Sequence, residues 1–123
     1  METVEIEENV YAALKNNEIL MDLLAKADKS IFHLQAPEVF PRLPILVYSP
    51  ISDVPVLYGD NQEQFHRVTI RIHIITREGD YYALYSEIKK LMEELGFIRI
   101  QTTPLIDGGV KMLVIDFKII IGG

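Results

Sequence analysis

The stretch Phe65-His66-Arg67-Val68-Thr69-Ile70-Arg71-Ile72-His73-Ile74-Ile75-Thr76 decides the fold. Val68, Ile70, Ile72 and Ile74 fall on one side of a period-2 alternation, and Arg67, Thr69, Arg71 and His73 fall on the other. Successive side chains of a strand point to opposite faces, so the pattern predicts one long strand with an apolar and a polar side. Thr, Ile and Val suit a half-buried pleated surface, which places this strand in the middle of an antiparallel sheet.

Working outward, Arg77-Glu78-Gly79-Asp80 turns the chain after Thr76. Asp80 is a suitable N-cap for a helix whose apolar residues Tyr81, Leu84, Tyr85, Ile88, Leu91, Met92 and Leu95 recur at helical spacing. Gly96 stands where a helix end wants a left-handed residue. This stripe is expected to lie across the apolar side of the central strand. Phe97 to Leu105 reads as a strand, Asp107-Gly108-Gly109 as a hairpin turn, and Val110 to Ile121 as the returning strand. In that last strand Leu113, Ile115, Phe117, Ile119 and Ile121 make an apolar row. Met112, Val114, Asp116, Lys118 and Ile120 make a mixed row that a neighbouring chain could half cover.

Upstream, Thr3 to about Ala27 is helical in pattern. Thr3 can cap, early glutamates suit the N-terminal dipole, and Asn16-Asn17 splits the segment into two helices. Ile31-Phe32-His33-Leu34 is a short apolar piece, and the prolines at 37, 41 and 44 make the next segment an extended connection outside any ladder. Ile45 to Ser49 reads as a strand that Pro50 stops. Ile51 to Tyr58 is expected to be extended or irregular, with Pro55 confining it to an edge or bulge, and Gly59-Asp60-Asn61 to turn into the central strand. The fold class is therefore α+β: a single domain, with an antiparallel sheet of about four to five strands and helices packed on one face.

Composition limits function. The 123 residues carry no cysteine, so disulfides, thiolate metal sites and a cysteine nucleophile are excluded. No apolar run approaches the roughly 18 residues of a membrane helix, and the acidic start is the wrong charge for a signal peptide, so a cytosolic site of synthesis is expected. A net charge of −6 lacks the basic footprint of a specific nucleic-acid binder.

Catalytic patterns are equally scarce. His66 and His73 are an odd number of residues apart on one strand, so they face opposite ways and cannot share a metal; His33 lies in another segment. Ser49, Ser52 and Ser86 lie outside any nucleophile elbow, and no phosphate-binding or dinucleotide fingerprint occurs. Asp53, Asp60 and Glu63 fall in one irregular segment, where turn formation explains acidic residues better than paired-carboxylate chemistry. The expectation is a non-enzyme without metal or cofactor.

Several stretches together resemble the phage tail-completion, or tail-terminator, family of siphophages and prophages of Gram-positive bacteria. They are Ala12-Ala13-Leu14-Lys15-Asn16-Asn17-Glu18-Ile19-Leu20, Ile31-Phe32-His33-Leu34-Gln35-Ala36-Pro37-Glu38, Pro44-Ile45-Leu46-Val47-Tyr48-Ser49 and Asp60-Asn61-Gln62-Glu63. The long strand ending at Thr76 and the helix closing in Leu95-Gly96-Phe97 complete the likeness, which runs in order over nearly the whole chain. Gly122-Gly123 departs from it, since relatives tend to end in polar or aromatic residues. The resemblance implies a small α/β subunit of a ring, a hexamer, at the head-proximal end of the tail. Its implied partners are itself, the tail-tube protein and a head-connector or stopper protein, with DNA passing through unheld and no membrane involved. The implied location is the bacterial host cytoplasm during assembly and then the virion tail. Two alternatives stay open: a head-completion or stopper protein, and a small non-enzymatic domain that binds a ligand on the polar face of its sheet.

A ring needs a patch on one subunit that meets a different patch on the next. Ile51, Asp53, Val54, Val56, Leu57, Tyr58 and Asp60 form the candidate for one such patch, because the segment is long, proline-broken and short of local partners. The competing expectation is that these side chains tuck under the sheet as a satellite cluster.

Overall fold

A computed structural model describes residues 1–59 and 62–122. Five strands form one sheet: β1 (Ile31–His33), β2 (Ile45–Gly59), β3 (Gln62–Thr76), β4 (Ile98–Asp107) and β5 (Val110–Gly122), in the order β1-β2-β3-β5-β4. The four long strands are antiparallel, as expected, but β1 pairs parallel to β2 and makes the sheet mixed. Helices α1 (Thr3–Lys15), α2 (Glu18–Leu23) and α3 (Tyr82–Glu94) all pack on one face. The expected α+β class holds.

That face carries the main core. Val68, Ile70, Ile72 and Ile74 of β3 and Leu113, Ile115 and Phe117 of β5 meet Ile6, Val10 and Leu14 of α1 and Leu84, Ile88 and Met92 of α3. Each fully buried aliphatic side chain contributes about 1.5–3 kcal/mol relative to exposure. A smaller cluster of Ile45, Val47, Ile75 and Val110 lies on the second face beneath the proline-rich connection, with Phe32, Ala36, Leu43 and Met112 against it.

Local chemistry corrects several expected boundaries. Thr3 is the first residue of α1 and not its cap; Glu2 precedes the helix, and its N–H donates to Glu5 Oε1 at 3.3 Å. The Asn16-Asn17 break works as expected, because Asn17 Oδ1 accepts from the Leu20 N–H and caps α2. Asn17 Nδ2 also donates to Glu87 of α3, tying the two helices together. Asp80 does not cap α3: Tyr81 holds that position, with no side-chain bond. The far end of α3 closes as predicted. Gly96 has φ +99°, its N–H donates to the Glu93 carbonyl, and the Phe97 N–H donates to that of Met92.

The largest correction concerns β2, which does not stop at Pro50 but runs on to Gly59. β1 covers the outer edge of β2 only at Leu46, Val47 and Tyr48. Beyond that point no described strand pairs with this edge, so a proline there forfeits no ladder donor on that side. The extra residues Ile51 and Val56 are bulged out immediately after Pro50 and Pro55. At the other hairpin Gly108 and Gly109 have φ +55° and +85°, the two positive values a tight two-residue turn requires.

Candidate interaction surface

Apart from the Leu57–Phe65–Gly122 pairing at its far end, the second face of the sheet can be read as five cross-strand rows. Ile45–Ile75–Met112–Leu105 comes first, then Val47–His73–Val114–Thr103 and Ser49–Arg71–Asp116–Gln101. Ser52–Thr69–Lys118–Ile98 follows, and Val54–Arg67–Ile120 ends the series. The bulges at Ile51 and Ile100 keep these side chains in phase across the rows. The rows change from covered and apolar to uncovered and mixed.

The first row belongs to the small cluster under the 34–44 connection. Beside it lies a cleft of about 320 Å³ lined by Leu34, Gln35, Ala36, Phe40, Val47, His73, Ile75, Leu105, Asp107 and Met112. Leu34 sits at its edge with φ +75°, the centre of a turn in which the Gln35 N–H donates to the His33 carbonyl at 2.9 Å. His73 Nδ1 is buried in this region without a hydrogen-bond partner among the described residues. Burial, and then the neighbouring Arg71 charge, push the His73 pKa below its ordinary value, with Asp116 opposing.

The third row is an ionic network. Arg71 Nε donates to Asp116 Oδ1 at 2.8 Å and its Nη2 to Oδ2 at 3.0 Å, while Gln101 Nε2 donates to Oδ2 at 2.9 Å. The Arg71 hydrogen bond, with help from Gln101, holds the buried Asp116 carboxyl below its usual range against the opposing effect of burial. This arrangement links β3, β5 and β4 laterally.

The last two rows are mostly open to solvent, although Thr69 at the centre of the fourth is buried and Lys118 beside it is half-buried. Ile98 is 62% exposed and Ile120 56%, and among the described residues neither Arg67 nor Lys118 is ion-paired. β4 is exposed along almost its whole length, with Ile106 at 80%. An edge strand uncovered on both faces with this much apolar surface is what a protein contact looks like from one side.

The candidate patch on β2 divides. Ile51 and Val56, the bulged residues, are 43% and 41% exposed, so they do not tuck under the sheet; Val54 is half-buried in the last row. Asp53 is engaged within the chain: the Thr3 hydroxyl donates to its Oδ2, and Oδ1 lies 2.7 Å from His66 Nδ1. The Thr3 hydrogen bond, then that of His66, lower the Asp53 pKa. The other ring nitrogen of His66 faces the Met1 carbonyl at 3.1 Å, so the group clasps the start of α1 to the β2–β3 arm. Asp60 and the side chains of Leu57, Tyr58 and Glu63 lie outside the described residues.

His66 and His73 do face opposite ways, and His33 is elsewhere, beside Glu7 and stacked on Tyr48. Among the described residues no three His, Asp or Glu side chains converge as a metal site, and no helix is long and apolar enough to cross a membrane.

Neither family models nor curated proteins match this chain.

Sequence reasoning missed β4 as an exposed edge and Gln101 as the third member of the Asp116 network. Strand order sets both, and no local pattern in Ile98–Asp107 carries it.

Proposed function

We propose that this chain is a structural subunit of a phage or prophage tail. It caps the head-proximal end of the tail tube as a ring, ends tube polymerisation and offers a surface for head joining, without catalytic turnover. Its partners are further copies of itself, the tail-tube protein and a head-connector protein, and it works first in the host cytoplasm and then in the virion tail. The observation that carries this reading is the far end of the second sheet face, where Ile98, Ile120 and Arg67 are exposed and Lys118 half-buried beside the bulged Ile51–Val56 arm. The resemblance of the ordered sequence stretches points the same way, and so does the purely structural use of Asp53, His66 and Asp116.

Electron microscopy of tails from a strain lacking this chain tests the reading. Overlong tails are expected. Tails of normal length joined to filled heads would contradict it, and normal-length tails without heads would point to a stopper instead. A second reading, a small ligand-binding domain, draws on the cleft beside His73, whose volume is at the small end for ligand pockets.

A further inference from the structure

The charges on the two outer surfaces of this chain are opposite in sign. On the outer side of α1 and α2, Glu5, Glu8, Glu18 and Asp22 are exposed, with Lys15 as the exposed cation. At the open end of the sheet face the charged side chains among the described residues are Arg67 and Lys118, diagonal neighbours across β3 and β5. Each surface also carries exposed aliphatic residues: Val4 and Ile19 on the helices, Ile98 and Ile120 on the sheet. A chain of net charge −6 would ordinarily repel its own copies. Here the second sheet face supplies the cationic patch that can meet the acidic helices.

We propose that the open end of the sheet face of one copy seats on the outer face of α1 and α2 of a second copy. The occupant follows from the complementarity of charge, and the exposed aliphatic pairs give both sides an apolar centre with a charged rim. The two patches differ, so the contact is heterologous and repeats from copy to copy until a ring closes. This rests on the ring reading above and names the surfaces that would build it. The helix clasp through Thr3, Asp53 and His66 holds the start of α1 against the β2–β3 arm, so both patches sit on one rigid frame.

Charge reversal with cross-rescue tests the proposal. One variant carries Arg67→Glu and Lys118→Glu; the other carries Glu8→Lys and Asp22→Lys, sparing Glu5, whose side chain accepts from the Glu2 N–H. All four positions are at least partly exposed, and circular dichroism with a denaturant midpoint checks that each variant folds. Sedimentation at low salt is then measured for the parent, each variant and their equimolar mixture. The parent should self-associate, each variant alone should associate at least about tenfold more weakly, and the mixture should regain association. Either folded variant associating like the parent would overturn the proposal, as would a mixture that stays apart. A parent that remains monomeric at millimolar concentration would overturn it too. None of these failures alters tail length in the deletion strain, which tests the ring reading separately.

Discussion

Strand β3 presents two faces that differ in what covers them. Val68, Ile70, Ile72 and Ile74 are completely buried under helices of the same chain. One residue out of phase, Arg67, Thr69, Arg71 and His73 face a surface that the 34–44 connection covers at one end and that opens to solvent at Arg67 at the other, Thr69 itself being buried. The first face supplies the stability of a single chain. The second shows how a sheet can keep apolar and cationic residues available and still be well packed, because Asp116 ties Arg71 and Gln101 into a row midway along it.

The largest expected effect breaks the first face. Ile72→Asp buries an unpaired charge in the core and should lower unfolding free energy by several kcal/mol in denaturant titration. A midpoint equal to that of the parent would reverse the assignment of faces. Next comes the middle of the second face. Asp116→Ala leaves Arg71 and Gln101 without their acceptor and should cost about 2–3 kcal/mol, below the range for a fully buried pair because Arg71 remains partly exposed.

Acidification sharpens the same point. The folded-state pKa of Asp116 is depressed, so its stabilisation is present above the unfolded value of about 3.9 and is lost as pH falls through the folded value. The Asp116→Ala variant should therefore lose less stability than the parent across that acid range. His73 is also depressed: the unfolded chain binds the proton first, so stability falls as pH drops below about 6.5 toward the folded value. His73→Gln should flatten that slope, and an unchanged slope between those limits would show that His73 is not held neutral.

The alternation in Phe65–Thr76 made both faces of β3 legible, because a period of two leaves no freedom over which residues share a side. The stripe of α3 and the glycine after it were equally plain, since each local cue agreed with the packing that formed. Pro50 misled because proline stops a strand only where its N–H is needed. Whether an edge is free depends on β1, which pairs with just three residues of β2. The exposure of β4 was hidden for a related reason: strand order is a tertiary fact. The exposure of Ile51 and Val56 was legible in the proline-broken segment, while Asp53, expected in the same patch, is held by Thr3 and His66.

The open end of the second face should show small effects on folding. Ile120→Asp introduces a charge at a residue that already meets water and should shift unfolding free energy by no more than about 0.5 kcal/mol. Smaller still, prolonged chelation should leave the melting temperature unchanged; a fall of several degrees would reveal a bound ion that contributes folding energy.

Ile120→Asp also gives the most direct test of the central claim, that one face of the sheet folds the chain and the other assembles it. The measurement is tail length by electron microscopy in a deletion strain complemented with this variant. The account predicts a folded protein that fails to cap, leaving tails overlong. Tails restored to parental length by the folded variant would contradict it.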